Sequence, residues 1–143
     1  MISFLSPVNE QMRAMFPPES HPNRVIERAI LQRLSPNAAV LDIGCGRTAP
    51  NLSGLIGKAG KLYGIDVIDF TVDDDRLHLF KNDVRDMKDI PSGSIDLAYS
   101  RAVMEHLEQP EEAFREIARV LKPGGLYVFT TPSIYDYGSI AAL

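Results

Sequence analysis

Short apolar runs that each stop at a glycine or an acid constrain this chain more than any other feature of its sequence. Ala39-Val40-Leu41-Asp42-Ile43 flows directly into Gly44-Cys45-Gly46, Leu62-Tyr63-Gly64-Ile65 ends at Asp66, and Leu77-His78-Leu79-Phe80 is followed by Asn82-Asp83. Runs this short, apolar at nearly every position and bounded by turn residues, suit strands buried on both faces of a sheet. Ser94 to Ser100 and Leu126 to Thr131 continue the series as a fourth and a fifth strand. A helix predicted over about 111–121 separates them. Pro110 suits its first turn, Glu111 and Glu112 favour its positive N-terminal end, and Lys122-Pro123-Gly124-Gly125 stops it. Another helix is expected after Pro22, capped by Asn23, with Val25, Ile26, Ala29, Ile30, Leu31 and Leu34 at helical spacing up to Ser35-Pro36. Strands alternating with helical or loop crossovers imply a parallel α/β sheet.

With 143 residues, 45% of them hydrophobic, the chain can bury one core, so a single domain is expected over residues 23–143. Residues 1–22 carry Pro7, Pro17, Pro18 and Pro22 and read as an N-terminal arm or lid. Fifteen Lys plus Arg against nineteen Asp plus Glu give a net charge of -4, which supplies no general field for a phosphate backbone and disfavours nucleic acid as a partner. Cys45 is the single cysteine, so neither an intrachain disulfide nor a cysteine-rich metal site is available. That usage fits a cytoplasmic protein, and no apolar run approaches the ~20 residues of a membrane span.

Ligands of open α/β sheets bind beyond the carboxyl ends of the strands, where the strand order reverses. Gly44 and Gly46 would let backbone approach a ligand closely there. Asp66 is placed to accept from a ribose diol, while Asp83 and the Val84 amide could read an adenine edge. By itself a glycine pair after a strand is only a turn, and an acid at a strand end only a cap. Their joint occurrence on three successive strands points to an adenosine-type ligand.

These residues resemble the class I S-adenosylmethionine-dependent methyltransferases of the small-molecule kind, the type 11 methyltransferase domain. Val40 to Gly46 is similar to the first motif of that family, Gly64-Ile65-Asp66 to its ribose-binding acid, and Asn82-Asp83-Val84 to its adenine motif. Ser94 to Arg101 with Glu105-His106-Leu107 resembles the fourth-strand motif, and Leu121 to Gly125 the turn before strand five. The resemblance implies a Rossmann-like, doubly wound, mostly parallel sheet that here lacks the last two of seven strands. It also implies S-adenosyl-L-methionine as cofactor and a small-molecule acceptor. By resemblance, Asp42, Gly44, Cys45 and Gly46 approach the methionine part of the cofactor, Asp66 and Val67 the ribose, Asp83 and Val84 the adenine, and Ser100 and Arg101 the methionine end. His106 is the nearest general-base candidate, with Tyr135 and Tyr137 as pocket aromatics.

The chain departs from the family pattern in two places. Arg47-Thr48-Ala49-Pro50 stands where another glycine is usual, and Asp69 to Arg76 is too short and acidic for a full helix. Two other readings compete. Gly44-x-Gly46-x-x-Ala49 with Asp66 also satisfies a relaxed dinucleotide fingerprint, which leaves Asp83 and the strand-four motif unused. A truncated, non-catalytic module would expose an edge beside strand five able to pair with a second copy as a homodimer.

Overall fold

In a computed structural model, Met15 and residues 18–132 are described. Five strands form one sheet: β1 (Ala39–Ile43), β2 (Lys61–Asp66), β3 (Leu77–Lys81), β4 (Ile95–Arg101) and β5 (Leu121–Thr130). Their order is β3-β2-β1-β4-β5 and all four pairings are parallel. The chain therefore runs outward from β1 to β3, returns to the other side of β1, and runs outward again. The strand order reverses between β1 and β4, which opens a crevice at their carboxyl ends.

Helices cover both faces. On one face, α1 (Pro22–Leu31) and α2 (Pro50–Ser53) enclose a core that includes Ile26, Ile30, Val40, Leu52, Leu62, Leu97 and Tyr99. On the other, α3 (Pro110–Val120) sets Ala113, Ile117 and Val120 against Leu41, Ile43, Ile65 and Ala98. β1 is buried along its whole length, as its continuous apolar run requires. Residues 69–74 adopt no helix, in keeping with their acidic, short sequence.

Three local expectations need correction. Asn23 does not cap α1; His21 does, its Nδ1 accepting from the Asn23 amide at 3.2 Å. Pro22 occupies the first helical position, where its fixed φ and missing N–H are tolerated, and this moves the start of the helix back. α1 also ends at Leu31, not near Ser35, and leaves Val25 and Leu31 exposed, so the apolar stripe that meets the sheet is narrower than the sequence periodicity suggests.

The third correction concerns Lys122-Pro123-Gly124-Gly125. This segment does not precede β5 but loops out within it, since Ile95 pairs with Leu121 and Leu97 pairs with Leu126. Gly124 takes φ +79°, and a Cβ on Gly125 would lie 2.9 Å from the Lys122 carbonyl oxygen. The loop is held by Lys122 Nζ, which donates to Asp96 Oδ2 at 2.7 Å while the same oxygen accepts from the Ala39 amide at 2.8 Å. One carboxylate thereby ties β1, β4 and β5 together at the end of the sheet opposite the crevice.

The connection from β3 to β4 is anchored by α3. Glu116 Oε2 accepts from the Met87 amide at 3.0 Å, and Arg119 donates to the carbonyls of Met87 and Ile90. Among the described residues no helix is long and apolar enough to cross a membrane. The expected lid over residues 1–22 falls mostly outside the described residues; of it, Pro18–Ser20 form a single 3-10 turn.

Candidate active site

The crevice holds a cleft of about 450 Å³ lined by the ends of four strands and the segment after β4. Volumes of this order suit a small molecule or cofactor. Gly44, Asp66, Val67, Asp83, Val84, Arg101 and His106 all line it. Asp42, Cys45, Gly46 and Ser100 do not line it.

The glycine turn has a steric cause. Gly44 and Gly46 adopt φ +73° and +76°, and a Cβ on Gly44 would meet Val103 Cγ2 at 2.5 Å. Only glycine lets β1 turn here while Val103 closes in from the segment after β4. The amides of Gly44 and Cys45 both donate to the Ile65 carbonyl, at 2.9 and 3.1 Å. Gly46 N donates to Asp66 Oδ2 at 2.8 Å, and Val67 N donates to Asp66 Oδ1 at the same distance. Ile68 N also donates to Oδ1, at 3.4 Å, so Asp66 shapes the glycine turn through Oδ2, which keeps a lone pair, while Oδ1 serves the backbone after β2. The absent third glycine is replaced by Ala49, which takes φ +43° directly before Pro50 opens α2.

Asp83 is more occupied than its motif suggested. Arg85 grips both carboxylate oxygens, Nε to Oδ1 at 2.9 Å and Nη2 to Oδ2 at 2.7 Å, and the Arg85 amide donates to Oδ1. These hydrogen bonds hold the Asp83 carboxyl below the usual carboxylate range. An exocyclic amine would therefore share an ionised, oriented acceptor. Arg85, itself in the cleft wall, was not singled out by sequence reasoning, although its spacing two residues after Asp83 was visible.

Behind the turn, Asp42 is 2% exposed. Burial raises its carboxyl from 3.8 to about 7, against the lowering influences of Tyr99 and Arg101. Asp42 and Tyr99 face each other in the β1–β4 register, yet neither Asp42 Oδ2 nor the Tyr99 hydroxyl has a hydrogen-bond partner among the described residues. Arg101 Nη1 donates to Asn51 Oδ1 at 2.9 Å, while its buried Nε has no such partner. Cys45 is buried beside them, and burial with the charges of Asp42 and Asp66 pushes its thiol up to about 12, which makes it an inert packing group.

Ser100, expected at the methionine end, is fully buried, and its hydroxyl is engaged with the Tyr127 hydroxyl at 2.7 Å. Alternation along β4 explains this: Tyr99 and Arg101 point to the α1 side, whereas Ser100 points to the α3 side. Ala102 follows with φ +53°, and together with Val103 and Leu107 it forms the apolar wall opposite Asp66. A non-glycine residue in the left-handed region costs energy, and such strain concentrates at functional sites. His106 ends a single 3-10 turn, Met104–His106, on the rim of the cleft. Tyr135 and Tyr137 lie outside the described residues, where no pocket role can be placed. Among the described residues no group of three or more His, Cys, Asp or Glu side chains could hold a metal ion.

Comparison with known proteins agrees with this geometry. The family profile described as a methyltransferase domain matches residues 41–129, from within β1 to near the end of β5. The chain is 32% identical over 108 residues to 24-methylenesterol C-methyltransferase 2 of Arabidopsis thaliana, covering 68% of this chain and 30% of that protein. It is also 32% identical over 106 residues to an uncharacterised transposon-encoded protein of Streptomyces fradiae, covering 68% of this chain and 31% of that protein.

Among solved structures, the [4+2]-cyclase SpnF superposes with a TM-score of 0.62 at 27% identity, over 73% of this chain and 43% of its own. An S-adenosylmethionine-dependent methyltransferase from Mesorhizobium loti superposes with a TM-score of 0.66 at 24% identity, over 79% of this chain and 54% of its own. The chain thus spans about a third of these curated relatives and about half of these solved structures. With the matched profile covering more than half its length, the chain belongs to the methyltransferase-domain family, and its sheet is the core of the class I S-adenosylmethionine-dependent methyltransferase fold.

Proposed function

We propose that this chain binds S-adenosylmethionine in the crevice and directs its methyl group onto a small molecule accepting at oxygen, carbon or nitrogen. The observation that carries the reading is the alignment of Asp83, Asp66, the Gly44 turn and Arg101 on four adjacent strand ends, in the order β3-β2-β1-β4. Three strand spacings amount to about 14 Å, the reach of a nucleoside bearing an amino-acid arm. The residues fit that molecule from end to end. Asp83 and the Val84 amide would hold an adenine, Asp66 a ribose diol, and the open space beside Gly46, where a Cβ would meet nothing within 4 Å, would leave room for the arm. Unpartnered polar atoms on Asp42 and Arg101 remain at the far end, an acid for an ammonium and a guanidinium for a carboxylate.

When bound, S-adenosylmethionine supplies a sulfonium-activated methyl group for in-line displacement. The protein contributes alignment and exclusion of water. Val103, Leu107 and Ala102 provide an apolar wall beside the reacting end, and His106 on the rim is placed to take a proton from an acceptor hydroxyl or acidic carbon. A carbon acceptor is supported by the relatives named as sterol C-methyltransferases. The dinucleotide reading uses Gly44 and Asp66 but leaves the Asp83–Arg85 pair and the buried Asp42–Arg101 cluster without a role.

Isothermal calorimetry with S-adenosylmethionine, S-adenosylhomocysteine and NAD tests the reading. Micromolar binding of the first two and none of the third supports it, and transfer from a labelled methyl donor then identifies the acceptor. A folded chain that ignores both sulfur nucleosides puts the non-catalytic module ahead of the enzyme. The β5 edge, unpaired on its outer side among the described residues, is the surface for the expected homodimer. A light-scattering concentration series showing only monomer removes it.

A further inference from the structure

The Asp42 cluster has a property that alignment alone does not use. Asp42 sits on β1, two residues before Gly44, and three of the groups around it are titratable or charged: Tyr99 and Arg101 on β4, and Asp66 on β2. The Cys45 thiol is adjacent. On the helical side, Arg24, Glu27 and Lys58 line a groove of about 330 Å³ that Tyr99 and Arg101 also line. Arg24 and Glu27 are paired with each other at 3.0 Å. Arg101 is common to this groove and to the cleft, so the cluster lies between the two.

Within it, Asp42 Oδ2, the Tyr99 hydroxyl and Arg101 Nε are all buried and without hydrogen-bond partners among the described residues. A buried carboxylate in this condition is unfavourable when charged, because Tyr99 and Arg101 offset only part of the hydration lost on burial. The Arg101 charge does not repair this. Its Nη1 is committed to Asn51, and the nearby Asp66 charge opposes it. What the cluster lacks is a second cation close to Asp42.

We propose that Asp42 is uncharged in the cofactor-free chain and loses its proton to solvent when the α-ammonium of the cofactor's amino-acid arm seats beside it, so that cofactor capture releases a proton. The inference rests on the cofactor reading above. The step is a simple acid dissociation: the carboxyl O–H bond breaks, its electron pair stays on the carboxylate, and the proton passes to the buffer. The ammonium brings its own charge and needs no proton from the protein. The same burial brings the Asp42 carboxyl to about 7, so the uncharged form predominates below neutrality.

Two consequences are measurable. Below neutrality the cofactor must drive the dissociation, so affinity should weaken about fivefold between roughly pH 7 and pH 6, a range in which the cofactor's own α-amino group remains largely charged. The apparent binding enthalpy should also depend on the ionisation enthalpy of the buffer. The experiment is calorimetry of the full chain at about pH 6 with S-adenosylhomocysteine, in a carboxylate or phosphate buffer and in an amine buffer. Alongside it runs 5′-methylthioadenosine, which keeps the nucleoside and lacks the ammonium-bearing arm.

The expected result is release of close to one proton with S-adenosylhomocysteine and none with methylthioadenosine, and loss of the effect in Asp42→Asn. A buffer-independent enthalpy for S-adenosylhomocysteine overturns the inference and leaves the cofactor reading standing. Proton release that survives in Asp42→Asn, or that methylthioadenosine also produces, assigns the proton to another cleft residue such as His106 and equally overturns it. Binding of neither nucleoside removes the cofactor reading and the inference together.

Discussion

Replacing Asp42 with Asn should abolish the pH dependence that this residue imposes on stability. In the unfolded chain the carboxyl titrates near 3.8, and burial brings it to about 7 in the folded chain. The folded state therefore binds the proton more tightly. This interaction is fully present at low pH and is lost as pH rises through the interval between the two values, after which stability is flat. At 1.36 kcal/mol per unit, the full loss is about 4 kcal/mol, and the portion falling between roughly pH 5 and pH 8 is about 2.5 kcal/mol. Because Asp42 is 2% exposed, solvent screening does little to reduce this figure. Asn is close in shape and never pays that charging cost. Urea unfolding of both proteins at the two pH values measures the difference, with equal slopes confirming that the same surface is exposed. Relative to wild type, the variant should gain about 2.5 kcal/mol at the higher pH. A wild-type-to-variant difference that stays constant across this range would refute the claim that burial raises the Asp42 carboxyl.

Other substitutions probe the cleft itself. Asp66→Ala removes both the acceptor for a ribose diol and the anchor of the Gly46 and Val67 amides, and should weaken S-adenosylhomocysteine binding by about 1 to 3 kcal/mol in calorimetry; unchanged affinity would disprove the assigned role. Gly44→Ala places a Cβ 2.5 Å from Val103 Cγ2 at φ +73° and should destabilise the fold by about 1 to 3 kcal/mol. Adding Val103→Ala should recover only the steric part, which a double-mutant cycle in urea can separate; complete recovery would mean that the backbone conformation carries no cost. His106→Gln should lower turnover on an identified acceptor by about 10²-fold or more while leaving cofactor affinity unchanged. Equal turnover in variant and wild type would reduce His106 to a rim residue.

Sequence reasoning succeeded where a residue's environment follows from its neighbours in the chain. Val40 to Ile43 could only be a doubly buried strand, and the glycines after it could only be a turn. The same local logic located α3 to within one residue at each end. It failed where two local signals compete or where the decisive partner comes from elsewhere. Asn23 was a plausible cap until Pro22 took the first helical position and His21 supplied the acceptor. Lys122 to Gly125 read as the end of a helix, whereas pairing with β4 makes it a loop inside β5. At the site, Ser100 and Arg101 were grouped together because they are adjacent in sequence. Strand alternation sends Ser100 to Tyr127 and Arg101 to Asn51 on opposite faces.

By itself, then, the sequence determined the parallel α/β class, the edge of the sheet that carries the candidate site, and the residue types at each strand end. Those are encoded in hydrophobic period and turn chemistry, which act over a few residues. The tertiary structure alone decided which of these groups reach the cleft and in what charge state. Arg85 fixes Asp83 as an ionised acceptor, and Asp66 commits Oδ2 to the glycine turn and Oδ1 to the amides that follow β2. Asp42 is enclosed by Tyr99 and Arg101 from a strand more than fifty positions away in the chain. Desolvation and hydrogen bonding depend on everything packed around a group, and only the assembled sheet brings those neighbours together.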